Sequence, residues 1–312
     1  MPLFGRRADK PTQAELDAAQ VDLERIREGG IPLGAEQRLQ RVAADSEPFF
    51  TSDLSSKQFA LADSVGLAPV AQVMGSSVVK HGWAYNQYGW YGGINEVPGM
   101  SEPWNLARGR AFDRLAQEAA CAAADGVIGV QIESRGTVGE ADNVEFIAFG
   151  TAVRDRQWPR REGQPLRLCS LSGQDVDKLR RIGAEVVGVV SHTSVVSSQL
   201  GYGSNWVMNS RGWFSGRQNV EIPEISAGVY YARQNAMGEV QRQAQAVGAN
   251  DLVITTLSHS IRHHEYGDNN PRHYFIVTMH VLGTAVVLGA HEPRPGPLGV
   301  PRMSINLGKP NN

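Results

Sequence analysis

A helix-then-strand unit that occurs twice constrains this chain more than any other feature. The first copy runs from Ala107-Arg108-Gly109-Arg110-Ala111 through Leu115 and Ala119 to Asp125-Gly126-Val127-Ile128-Gly129. The second runs from Ala232-Arg233-Gln234-Asn235-Ala236 through Val240 and Ala244 to Asn250-Asp251-Leu252-Val253-Ile254, aligned without a gap. In both, small apolar residues recur at every fourth position. Such a stripe lies along one side of a helix and lets its backbone come close to whatever it packs on. Gly248 suits the left-handed position that ends the second helix, and Ala123 stands in its place after the first.

The unit sits inside a longer repeat. A serine-capped short helix (Ser52-Asp53-Leu54-Ser55; Ser170-Leu171-Ser172) precedes an apolar strand, Pro69 to Val79 in one copy and Glu185 to Val196 in the other. A long glycine- and aromatic-rich loop follows, eight residues longer in the second copy. The first long helix is expected to begin near Glu102-Pro103-Trp104, with proline in its first turn. After each helix comes a strand (Val127 to Ser134; Leu252 to Ser258) and a hairpin return (Val144 to Val153; Tyr274 to Val287) that closes on Gly-Thr-Ala-Val. The expected fold is α+β: two tandem domains, each a long helix on a small antiparallel sheet, preceded by short helices. The expected divisions are a tail and helical lead-in over 1–48, a first domain over 49–154, a linker over 155–165, a second domain over 166–290 and a proline-rich extended tail over 291–312. In the lead-in, Thr12 with Glu15 three residues on makes a capping box. That helix stops at Gly29-Gly30, and a second is expected from Ala35 to Ala43.

Thirty basic against 32 acidic side chains leave a net charge of −2, which gives no general attraction to nucleic acid. No apolar run reaches the roughly 20 residues that span a bilayer, and the polar residues after Met1 do not read as a secretory leader. A cytoplasmic location is expected. Cys121 and Cys169 make neither a disulfide framework nor a cysteine zinc site.

The strand, the long helix with Ala-Arg-x-x-Ala, the turn into a Val/Ile strand and the closing Gly-Thr-Ala-Val resemble the YbjQ family, also known as heavy-metal-binding domains. The resemblance covers about residues 67–154 and 184–288, and the whole chain resembles the tandem form found in actinobacteria. It implies one long helix across an antiparallel sheet and assembly into rings, commonly of five subunits; it implies no established reaction. The helix-GGIP-helix at residues 13–43 resembles the SHOCT module, a helical hairpin associated with oligomerisation. That module usually lies C-terminally, and an ordinary helical lead-in is the preferred reading.

Four groups of residues are candidates for chemistry. Five of the eight histidines lie in the second hairpin: His259, His263, His264, His273 and His280. Imidazoles bind divalent transition metals, and no other cofactor is indicated. With a turn centred on Asp268-Asn269, His264 pairs with His273, and His280 lies diagonal to His259, making two weak pairs. The aromatic loops offer a ligand or partner surface: Trp83, Tyr85, Tyr88, Trp90 and Tyr91 in the first, and Tyr202, Trp206, Trp213 and Phe214 in the second. Packing between subunits is their plainer role. Arg154, Arg156, Arg160, Arg161 and Arg167 gather at the linker, diluted by acids, and read as solvated. Ser191-His192-Thr193 ends a strand, but no catalytic motif accompanies it. The leading expectation is a non-enzymatic protein that oligomerises with itself, as scaffold or binding ring. Metal binding through the second-domain histidines and small-ligand binding by the aromatic loops are the alternatives.

Overall fold

The structure, a computed structural model, describes residues 12–44, 54–80, 93–136, 143–157, 160, 163–209, 219–267 and 271–293. In chain order they form α1 (Gln13–Arg27), α2 (Leu33–Ala43), α3 (Ser56–Ser64), β1 (Leu67–Lys80), β2 (Ile94–Glu96), α4 (Pro98–Cys121), β3 (Gly126–Gly136), β4 (Asn143–Asp155), β5 (Arg167–Leu168), α5 (Gly173–Arg181), β6 (Glu185–Gln199), α6 (Tyr202–Asn209), α7 (Pro223–Ala246), β7 (Asp251–Tyr266) and β8 (Arg272–Val287). The fold is α+β, with two four-stranded sheets and a long helix on each.

Local chemistry sets the helix ends. The Thr12 hydroxyl accepts from the Glu15 N–H while the Glu15 carboxylate accepts from the Thr12 N–H, so both ends of the capping box are closed. Ser55 closes the same box with Gln58 at α3, and Ser172 caps α5 by accepting from the Asp175 N–H. α4 starts at Pro98, earlier than proline at position 103 implies. Pro98 takes the first helical position, where a missing N–H costs nothing, and Pro103 lies inside the helix.

The repeat is exact in register. β4 runs between β1 and β3, and β8 runs between β6 and β7, all antiparallel. Val73 faces Gly150 as Val190 faces Gly283, and both first strands break register at the same place, after Pro69 and after Val186. The alanine stripes are buried as their spacing requires: Ala107, Ala111, Leu115 and Ala119 are fully covered, as are Ala232, Ala236 and Val240.

What the repeat alone does not show is how the halves join. The fourth strand of each sheet comes from the other half. β2 precedes α4 but pairs with β6; β5 follows the linker but pairs, in parallel, with β3. The segment after β5 continues between the sheets, with Cys169 and Leu171 bonded to the β3 backbone and Ser170 to Thr284. α4 is therefore packed on both sides. One side faces β1 and β4, while the other faces β6 and β8, so that Val195 and Ile276 belong to the same apolar cluster as Trp104 and Phe146. α7 covers the opposite face of the second sheet with Val196, Val277 and Val281. The layers run first sheet, α4, second sheet, α7.

The lead-in helices dock beside α4. Leu39 of α2 is buried, and Arg114 and Gln117 of α4 donate to the carbonyls of Ile26, Gly29 and Gly30. In the linker region, Asp155 is held in a buried ion pair by Arg180, Arg156 pairs with Asp63, and Arg167 pairs with Glu185. Among the described residues no helix is long and apolar enough to cross a membrane.

Candidate metal centre

The β7–β8 hairpin brings three metal-ligating side chains together, but not the expected ones. His264 faces Tyr274, and Glu265 faces His273. Five residues, 267–271, separate the last pair, Tyr266 and Arg272, whereas a two-residue turn at Asp268-Asn269 would have put Pro271 into the ladder opposite Tyr266. Proline has no N–H to give there. The resulting shift of one residue moves alternate side chains to opposite faces. His273 thus joins His263 and Glu265, while His264 stacks on Tyr274 with ring centroids 5.1 Å apart. His259 and His280 are not brought together either. His259 is opposite Met279, and His280 turns to the other face, 4.9 Å from the Trp104 ring.

His263 Nε2 lies 2.8 Å from His273 Nδ1. Glu265 Oε1 is 3.7 Å from the first nitrogen and 3.6 Å from the second. Metal–nitrogen bonds of about 2.0–2.1 Å in a tetrahedron place ligand atoms about 3.3–3.4 Å apart. The carboxylate already stands at nearly that distance, and the two imidazoles need to part by about half an ångström. His273 is buried while His263 and Glu265 are exposed, so a metal here would keep a position for water.

A second layer fixes the tautomer of His273. Asn209 Nδ2 donates to the Pro271 carbonyl at 2.8 Å, which turns its amide oxygen toward His273 Nε2, 2.9 Å away. His273 must donate from Nε2, leaving the Nδ1 lone pair facing His263 and Glu265. This is the orienting role that outer partners play around metal-bound imidazoles. Asn205, one turn earlier, accepts from the His273 N–H and donates to the same proline carbonyl. Both asparagines stand on α6, where the sequence reads as loop. Glu224 holds the start of that helix through the Gly201 N–H and the Ser204 hydroxyl.

Of the aromatic candidates, Tyr202 (91% exposed) and Trp206 (66% exposed) project from the outward side of α6. Trp83, Tyr85, Tyr88, Trp90, Tyr91, Trp213 and Phe214 lie outside the described residues. Glu265 and Asn209 carry no signal in the sequence, and His263, one of the five hairpin histidines, falls outside both expected pairs. Pro271 is the available signal, because a two-residue turn at Asp268-Asn269 sets it opposite Tyr266 with no N–H to give.

The joint between the halves holds a second polar group. The Thr193 hydroxyl accepts from Arg108 Nη1 at 3.2 Å and shares a hydrogen bond with His280 Nδ1 at 2.9 Å. Burial, with the Arg108 charge nearby, depresses His280 to about 4 and keeps it neutral. Burial also lowers Arg108 to about 9. Ser191 spends its hydroxyl on the Val281 carbonyl at 2.6 Å. Within the Ser191-His192-Thr193 run it is Thr193 that meets the other half, bonded to Asn105 and Arg108, and its hydroxyl, though set against the His280 imidazole, is buried at the joint.

Residues 88–156 match the YbjQ family model, described as "Putative heavy-metal-binding". The chain is also 34% identical, over 211 residues, to a protein of Mycobacterium tuberculosis named as an encapsulin nanocompartment protein. That alignment covers 67% of this chain and 77% of the relative. With the family match lying over α4, β3 and β4, and that relative aligned along 77% of its length, the chain belongs to the YbjQ family.

Proposed function

We propose that the chain is a structural building block that assembles with copies of itself, as a component of a nanocompartment-type assembly. The interleaving of its halves supports this reading most directly. β2 and β5 complete sheets in the opposite half, so the repeat unit is one that finishes its neighbour's sheet. The name of the M. tuberculosis relative supports the same reading. Light scattering behind size-exclusion chromatography tests it. The expected mass is a multiple of 33.9 kDa at micromolar concentration; a monomer throughout would overturn the proposal.

A second reading is divalent transition-metal binding by His263, Glu265 and His273, favoured by ligand atoms that all lie within 4.8 Å of one another and by the Asn209 contact. The two readings are compatible, since His263, Glu265 and His273 are not among the residues that join the halves. Metal analysis of protein purified without chelator, followed by zinc titration, tests it. No bound metal and no zinc uptake would end it.

A further inference from the structure

The halves meet through surfaces that the chain presents a second time, unpaired among the described residues. At the internal joint, Ile94–Glu96 adds to the outer edge of β6, Ile94 opposite Ser198 and Glu96 opposite Val196, and the Val97 N–H donates to the Val195 carbonyl at 2.8 Å. Glu96 accepts from Ser194 Oγ at 3.1 Å and Asn235 Nδ2 at 3.2 Å. The outward side of α4 then covers the second sheet, with Trp104 on His280 and with Asn105 and Arg108 on Thr193.

The second half carries the same donor. Ile94-Asn95-Glu96-Val97-Pro98 corresponds to Asn219-Val220-Glu221-Ile222-Pro223. Both lead into their helices with the same backbone: Val97 has φ −114° and ψ 83°, Ile222 φ −105° and ψ 96°. Ser101 donates to Glu96, and in the same place Ser226 donates to Glu221 at 2.7 Å. The segment is preformed, yet no strand lies beside it among the described residues, and Asn219, Val220 and Glu221 are exposed. Tyr230, in the place of Asn105, is 71% exposed.

The first half carries the same acceptor. β1 is the outermost strand of its sheet, and Val78-Val79-Lys80 hold the places of Val195-Val196-Ser197. Among the described residues no hydrogen bond reaches their outer edge. Met74, Ser76 and Val78 are exposed, whereas their counterparts Ser191, Thr193 and Val195 are buried at the joint.

We infer that a second copy of this chain sets its Asn219–Ile222 segment on the Val78–Lys80 edge and lays the outward side of its α7 over Met74 and Val78, an inference that rests on the self-assembly proposed above and names its surfaces. Donor and acceptor differ, so the contact is head-to-tail, and its repetition gives a ring or an open chain. Exposed edge strands invite such pairing. Glu221 of one copy then falls beside Arg110 of the next, because Arg110 holds the place of Asn235. An ion pair stands where the internal joint has a carboxylate and an amide.

Two measurements test the interface. In a Cys121→Ala background, Lys80→Cys and Val220→Cys become opposite neighbours, as Ser197 and Asn95 are internally. Mild oxidation of the double variant gives covalent multimers on a denaturing gel, and each single variant does not. Separately, Glu221→Arg and Arg110→Glu each lower the mass seen by light scattering, and combining them restores it. Circular dichroism shows whether each variant is folded. An oligomer that neither cross-links nor responds to charge reversal overturns this interface and leaves self-assembly standing. A monomeric parent chain overturns both.

Discussion

Gly75 of β1 lies directly beneath Ala111 of α4: a Cβ on the glycine would come within 2.0 Å of the Ala111 carbonyl oxygen and 2.6 Å of the Leu115 nitrogen. Both are backbone atoms, so no side chain can swing aside. Gly75→Ala must lift the helix from the sheet and disturb a core that includes Val73, Ala111 and Leu115. A loss of about 3 kcal/mol is expected in urea denaturation. A variant as stable as the parent would show that the helix does not lie so close. In the second half the place of Gly75 is taken by His192, near Glu239 and Arg242 of α7.

Ala123 ends the turn after α4 at φ 52°, and its counterpart Gly248 has φ 79°. The left-handed region costs a residue with a Cβ roughly 1–2 kcal/mol, part of which glycine returns through its freer unfolded chain. Ala123→Gly should therefore stabilise the protein by about 0.5–1 kcal/mol. A raised melting temperature confirms it, and a lowered one refutes it.

Acid should weaken the joint between the halves. His280 has a folded value of about 4, against an ordinary 6.5. Below pH 6.5 the unfolded chain takes up a proton that the folded one refuses, so stability falls as the pH drops from about 6.5 toward 4 and is unaffected above. The loss at the bottom of that window is about 3 kcal/mol for this group. His192, also near 4 through burial and Arg108, acts in the same direction. His280→Phe keeps a ring against Trp104 and Phe146 but strands the Thr193 hydroxyl. The variant should be about 1 kcal/mol less stable at pH 7 and lose less on acidification. Denaturation midpoints at pH 7, 5.5 and 4 decide; parallel losses in parent and variant would exclude His280 as a source.

Zinc titration can tell the observed cluster from the one that simple strand pairing implies. His263→Ala and His273→Ala should each abolish uptake at micromolar metal. Asn209→Ala should weaken it about 10- to 100-fold by freeing the His273 ring. His264→Ala should leave it unchanged. Equal effects of His263→Ala and His264→Ala would rule out the three-residue centre.

The repeating α+β units follow from residue order alone, because 3.6-residue and two-residue periodicities are local properties that survive in any surroundings. The stripes at Ala107 and Ala232, the Thr12, Ser55 and Ser172 caps, and the left-handed turn at Gly248 are all legible from residue types a few positions apart, whereas the positive φ of Ala123 is not. Which half each short strand completes is set by long-range packing. Three residues, Ile94–Glu96, carry no mark of whether they pair within their own repeat or across to β6. That choice depends on the buried contacts α4 makes with both sheets. The metal-ligand cluster failed to appear in the sequence for a related reason. A single residue in the turn, forced by Pro271, exchanges the faces of every side chain beyond it, and the asparagines that orient His273 arrive from a helix more than sixty positions away.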